Sequence, residues 1–214
     1  QNGLSLMHYT GNGQYHDFSE ITDIRTVFWV VSQDTSANGS GFRYLLCSSS
    51  NSYFHNDNNG KFWGNSANGY VKNGSTRMNG YSLSGTTNYP NNLSIITLRT
   101  TGNVSADRFG QDRGFTGRQW IGKLGELVIS SSALSDSVIA SIEGTLALKW
   151  GLTSSLPSNH PYNTNIFITT GQPVNIQVPA DRNPTSWSAS GLASGLSINN
   201  SGIISGSTSS IGDF

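Results

Sequence analysis

Apolar and polar residues alternate in short runs from Leu4 to Ser130. Leu4-Ser5-Leu6-Met7-His8-Tyr9, Thr26-Val27-Phe28-Trp29-Val30-Val31, Leu93-Ser94-Ile95-Ile96-Thr97-Leu98 and Leu124-Gly125-Glu126-Leu127-Val128-Ile129 are short and rich in β-branched or aromatic side chains, which predicts strands. Phe42-Arg43-Tyr44-Leu45-Leu46-Cys47 alternates in the same way. Asn-Gly recurs at 12–13, 38–39, 59–60, 68–69, 73–74 and 79–80. A type I′ turn needs positive φ at both central residues, so this dipeptide is a strong hairpin signal. Short strands separated by such turns predict an all-β chain, an antiparallel jelly-roll sandwich.

One segment follows a helical period instead. Ser135-Asp136-Ser137 is a capping signal, Val138, Ile142 and Leu146 then recur with Ile139 and Trp150 beside them, and Gly151 follows as a stop. The spacing predicts one short amphipathic helix across the end or flank of the sandwich, weakened by Gly144. Residues 1–152 form this first unit. Residues 153–164 carry Pro157 and Pro161 and read as a linker. A second β unit follows over residues 165–214, with strands expected at 165–168, 174–178 and 186–189 and a hairpin over 196–204. So few strands fall short of an immunoglobulin-like sandwich of seven, so the unit is expected to be incomplete or completed by another chain.

Charge narrows the function. Only 12 Lys+Arg and 12 Asp+Glu occur in 214 residues, the formal net charge is zero, and charged residues make up 11%, against about 25% in an average domain. The basic residues are scattered singly, so there is no face for releasing counterions from phosphate, and nucleic acid is not expected as a partner. No apolar run is long enough for a membrane span, so no membrane insertion is expected. Gln1-Asn2-Gly3 lacks the basic-then-apolar pattern of a signal peptide. The single cysteine, Cys47, permits no disulfide within the chain and is expected to be a small buried hydrophobe.

Trp120-Ile121-Gly122-Lys123-Leu124-Gly125-Glu126-Leu127-Val128-Ile129, Ala133-Leu134-Ser135-Asp136 and Ile142 to Leu152 resemble the closing strand and helix of bacterial laminin-G-like, concanavalin-A-like jelly-roll domains. Tyr15-His16-Asp17-Phe18, Ile24 to Trp29 and Phe54-His55 extend that resemblance over about residues 1–152. Ala189 to Ile198 with Gly202-Ile203-Ile204-Ser205-Gly206 is similar to the immunoglobulin-like (cadherin-like) repeats of large bacterial surface proteins, except that Ala193 stands where those repeats usually have Pro. The resemblance implies an extracellular or cell-surface location and a binding or adhesive role. A jelly roll also hosts lectins, hydrolases and lyases, so the fold leaves function open.

The chemistry follows from residue types. Hydrolysis on a jelly roll requires paired carboxylates, and the related retaining hydrolases carry Glu-x-Asp-x-Glu. This chain has only Glu20, Glu126 and Glu143, and no such triplet. Glu126 and Glu143 are expected to pair with Arg or Lys. A lyase would use Tyr or His as acid and base with Arg beside a uronate, for which His55, Arg77, Tyr81 and Tyr89 are candidates without a spacing motif. Arg108, Asp112, Arg113 and Arg118 form a charge cluster that reads as a loop pinned by ion pairs or as an anion site. Asp57 in Asn56-Asp57-Asn58-Asn59-Gly60 could join a calcium site, or the segment is an Asx-rich turn. No other cofactor is implied. Aromatic faces interleaved with amides and hydroxyls suit a sugar, and Tyr53, His55, Asn56, Trp63, Arg77 and Tyr81 are the candidate ligand contacts, with Trp63 expected at the surface. The expected function is a non-catalytic carbohydrate-binding or adhesion module whose partner is a glycan or cell-surface component. The alternatives are a fibre or coat repeat joined to neighbouring copies by strand addition, and a polysaccharide lyase.

Overall fold

A computed structural model of the chain describes residues 2–11, 13–39, 41–51, 53–56, 61–83, 87–163, 171–178, 185–189 and 192–208. The chain is all-β and sandwich-like, with two antiparallel sheets, one of them large, and a single long helix. The elements in order are β1 (Met7–Thr10), β2 (His16–Gln33), β3 (Leu46–Cys47), α1 (Gly69–Lys72), β4 (Ser75–Met78), β5 (Tyr81–Ser82), β6 (Ser94–Phe109), β7 (Ile121–Ser130), α2 (Asp136–Trp150), β8 (Val174–Gln177), β9 (Leu196–Ile198) and β10 (Ile203–Gly206). The large sheet runs β1-β7-β2-β6-β4-β5, with β3 also paired to β6. The small one runs β8-β10-β9.

The predicted strands at 26–31 and 93–98 are parts of much longer ones, the second half of β2 and the start of β6. β2 spans 18 residues and β6 spans 16, and their register shifts between Asp17 and Ile21, Ile21 and Ile24, and Ile24 and Thr26. Such shifts bend a ladder and increase its twist. Beyond the bend, Leu46 and Cys47 of β3 pair with Phe109 and Arg108. In the central half the apolar run is continuous because both faces are covered. Val27, Trp29 and Val31 of β2 enter the larger core, with Phe54, Phe62, Trp63, Ile96, Leu98 and Trp120. Phe28 and Val30 face the other way into a second core with Ile95, Ile139, Leu146, Ala147 and Trp150.

Helix α2 forms that second layer. Ser135 caps its start, accepting from the Val138 N–H, and Gly151 ends it in the left-handed conformation, both as the sequence indicates. The buried stripe is rotated from the expected one. Ile139, Glu143, Gly144, Leu146, Ala147 and Trp150 face inward, whereas Val138 is exposed. The segment read as a linker continues this packing. Residues 153–155 form a 3-10 turn, Leu152 and Leu156 are buried in the second core, and Tyr162 packs against it. A Cβ at Gly144 would fall within the Tyr162 ring, so the glycine that weakens the helix is what lets this segment close on it.

The Asn-Gly dipeptides behave differently from expectation. Asn12-Gly13 and Asn59-Gly60 are not fully within the described residues; among the other four, only Asn79-Gly80 makes the two-residue hairpin, with φ of 49° and 79°, joining β4 to β5. Asn68 is the N-cap of α1, because an Asn side chain accepts from a helix-start N–H as readily as it enters a turn, and Asn73 is the C-cap, donating its backbone N–H to the Gly69 and Val71 carbonyls. Among the described residues, β4–β5 is also the one pairing of consecutive strands in the large sheet. In the second unit β8, β9 and β10 fall where strands were expected, residues 186–189 are described but not in a strand, and residues 165–168 lie outside the described residues.

Candidate functional site

The loops between β3 and β4 lie over the large core, and backbone hydrogen bonds fix their shape. The Gly64 N–H donates to the His55 carbonyl (2.8 Å), the Asn68 N–H to the Tyr53 carbonyl (3.0 Å) and the Ala67 N–H to the Gly64 carbonyl (3.0 Å). Phe54 points into the core, edge-on to Trp29 at 6.3 Å, which turns its neighbour Tyr53 toward a cleft. That cleft has a volume of about 190 Å³ and is lined by Asn51, Tyr53, Ser66 and Asn68. Asn68 is held in place because its Oδ1 accepts from the Tyr70 N–H at 2.8 Å. The lining groups are two amides, a hydroxyl and a phenol. They can exchange hydrogen bonds with hydroxyls, but supply no carboxylate for acid/base chemistry.

The candidates from the sequence do not all converge there. Tyr53 alone lines the cleft. Trp63 is 9% exposed and belongs to the core, where its Nε1–H donates to Thr76 Oγ1 at 2.8 Å, so the expectation of a surface tryptophan is corrected. Phe62 and Trp63 are both buried. Asn56 is fully buried and its Oδ1 accepts from the Arg43 N–H, so it supports the loop from within. His55 packs edge-on to Phe42 and Tyr44, and its Nδ1 lies 2.7 Å from the Asn56 carbonyl. Burial lowers its proton affinity below that of an ordinary imidazole. Arg77 projects toward α2, donating to Asp136 Oδ1 at 2.7 Å. Tyr81 is exposed on the short strand β5. Asp57 lies outside the described residues, among which no three His, Cys, Asp or Glu side chains gather as a metal site.

Known proteins offer no match. No family model, no curated protein and no solved structure matches the chain. Of the lyase candidates, Tyr89 is buried against Phe62 and Trp120, with its hydroxyl donating to the Arg43 carbonyl. Arg77, turned toward α2, thus stands apart from His55 and Tyr89, which lie beside residues 43–44. Asn51, Ser66 and Asn68 were not singled out from the sequence. In a chain so rich in Asn and Ser nothing local distinguishes a lining residue from any other, and the Asn68-Gly69 signal points to a turn.

Two charged networks flank the core. Around α2, the fully buried Glu143 accepts from Thr97 Oγ1 at 2.7 Å and lies 3.9 Å from Arg77 and 3.5 Å from His160. Asp136 is held by both Arg77 and Arg99. Glu126 pairs with Lys149 at 2.9 Å and accepts from the Trp150 indole. Both glutamates therefore meet a cation, as expected. At the other network, burial opposes ionisation of Asp112, but hydrogen bonds from Arg113 and Arg118 outweigh it and hold its carboxyl below the ordinary range. Cys47 is buried, which pushes its thiol up to about 11. Such a thiol is a poor nucleophile at neutral pH.

No described helix is long and apolar enough to cross a membrane.

Proposed function

We propose that the chain carries a non-catalytic binding module for a glycan, acting within a secreted or surface-displayed protein, in line with its resemblance to laminin-G-like jelly rolls. The observation that carries this reading is the cleft lined by Asn51, Tyr53, Ser66 and Asn68. Its groups are neutral hydrogen-bonding partners, two amides, a hydroxyl and a phenol, which suit the hydroxyls of a sugar. The volume is below the roughly 300–1,000 Å³ of pockets for larger ligands, which fits a single sugar unit of a chain rather than an enclosed oligosaccharide.

A glycan array, with and without calcium, tests this. Wild type is expected to bind a subset of neutral glycans. Ser66→Trp, which fills the cleft from an exposed position, and Asn51→Ala are expected to weaken binding about tenfold or more, the cost of a lost hydrogen bond plus lost contact, while melting as wild type does. Absence of any glycan bound by wild type in calcium overturns the reading.

A second reading has its own observation. Among the described residues, β8 and β9 each pair only with β10. An open strand edge can accept a strand from another chain, which would make the small sheet a joint in a fibre or coat. Light scattering separates the two: concentration-dependent oligomers favour the joint, and a monomer at all concentrations removes it.

A further inference from the structure

Three loops, at residues 41–43, 55–56 and 112–118, bring an excess of positive charge together. Asp112 is fully buried and accepts from Arg113 Nε at 2.8 Å and Arg118 Nη1 at 2.7 Å. Both guanidinium groups lie over the Phe115 ring, at 4.8 and 4.4 Å, and Arg118 also lies over Phe42 at 4.4 Å. Arg43 joins them from the interior. It is 8% exposed, its Nη1 donates to the carbonyls of Phe42 and Gly117, and its Nε has no partner. Among the described residues Arg43 forms no ion pair with a carboxylate, in contrast to Arg108 nearby, which meets both Asp17 and Asp107.

Arg113 and Arg118 therefore share one carboxylate, and the guanidinium of Arg43 has none. Pinning the loop to its neighbours needs a single Arg on Asp112. The second Arg is redundant for that purpose, and the buried Arg43 costs free energy unless an anion offsets its charge. Asp112 takes only three of the N–H groups on Arg113 and Arg118, and both side chains retain partial exposure, 30% and 27%. Stacking on Phe42 and Phe115 holds their planar forks in fixed orientation, the arrangement that suits two-point recognition of an oxyanion. Phe115 is itself 46% exposed and adds an apolar surface beside the charges.

We propose that Arg43, Arg113 and Arg118 form an oxyanion subsite, with Phe42 and Phe115 as its walls, that takes the carboxylate or sulfate group of an acidic polysaccharide. This rests on the glycan-binding reading only in naming a sugar polymer as the bearer of the anion. The subsite is separate from the neutral cleft, so each can fail without the other.

Affinity electrophoresis of the whole chain through gels holding polygalacturonate, dextran sulfate or unmodified dextran tests it. Wild type and the exposed-site control Lys123→Gln, which changes net charge by the same amount, are expected to be retarded by at least one polyanion, and less so as salt is raised. Arg118→Gln is expected to weaken retention about tenfold or more, and Arg118→Lys to fall between, keeping charge without the fork. Polygalacturonate alone assigns a carboxylate ligand and dextran sulfate alone a sulfate. Should Arg118→Gln fail to fold by circular dichroism, wild type supplies the readout: the retarding polyanion should protect Arg118 and Arg113 from phenylglyoxal, as mapped by mass spectrometry. No retardation of wild type by either polyanion, equal retention of Arg118→Gln and Lys123→Gln, or an absence of protection overturns the subsite. Neutral glycans bound without polyanions leave the cleft standing and remove the subsite, and the converse result does the reverse.

Discussion

At the scale of single residues, Gly144 shows how tertiary contacts reverse a local preference. In an isolated helix, replacing glycine by alanine is favourable by about 1 kcal/mol. Here the Tyr162 ring occupies the space a methyl group would need, and overpacking of a formed core costs about 1–3 kcal/mol. Gly144→Ala is therefore expected to destabilise the protein in urea titrations, and the same change in a Tyr162→Ala background is expected to cost less or to stabilise. Equal effects in both backgrounds would show that the ring is not the obstacle. Trp63 carries the same lesson on the sheet's other face. Its residue type is suited to a sugar platform, yet its indole is paired with Thr76 and packed against Phe54 and Phe62.

At the scale of elements, the helix and the segment after it act together. Start and stop signals placed α2 correctly because capping depends on residues within one turn of each end. Which face is buried depends on what covers it, and the residues after Gly151 contribute that cover. Leu156 is buried in the second core with Ile139 and Leu146, so Leu156→Ala is expected to cost about 2–5 kcal/mol, read as a lower urea midpoint. A change below about 0.5 kcal/mol would mean that this segment does not stay docked in solution. The Asn-Gly dipeptides show the limit of element signals. Asn79-Gly80 and Asn68-Gly69 are the same in sequence, but one closes a hairpin and the other starts a helix.

At the scale of the whole molecule, buried titratable groups couple stability to pH. Burial lowers the proton affinity of His55 and of His160, in the latter against the pull of Glu143. An unfolded chain therefore binds more protons than the folded one below the ordinary imidazole value of about 6.5, and stability rises with pH across that window. Asp107 and Asp112 are also partly desolvated, but hydrogen bonds from Ser49 and from Arg113 and Arg118, with the neighbouring Arg charges, hold both below the usual carboxylate range. Their contribution is complete above about pH 4 and is lost as pH falls through the folded values. Melting temperature is expected to be flat near pH 7–8, to decline below about 6.5 and to decline further below about 4. His160→Gln should flatten the first step and Asp112→Asn the second, though Asp112→Asn starts from a lower value. A profile unaltered by His160→Gln would remove that residue from the first step.

The sequence by itself determined what short-range physics determines. Alternation and β-branched content marked parts of three strands, at 26–31, 94–98 and 124–129, and capping chemistry set both ends of α2. The scarcity of Glu disfavoured paired-carboxylate hydrolysis. Strand pairing was decided only in three dimensions, since β2 meets β6 and β7 across long stretches of chain, and no local pattern encodes a partner so distant. The cleft was decided there too. Asn51, Ser66 and Asn68 became neighbours of Tyr53 through loop closure over Phe54, while burial withdrew Trp63 and Asn56. Composition could announce that amides and aromatic rings were present, but their exposure and convergence are properties of packing, because the same side chain serves the core or a ligand according to what covers it.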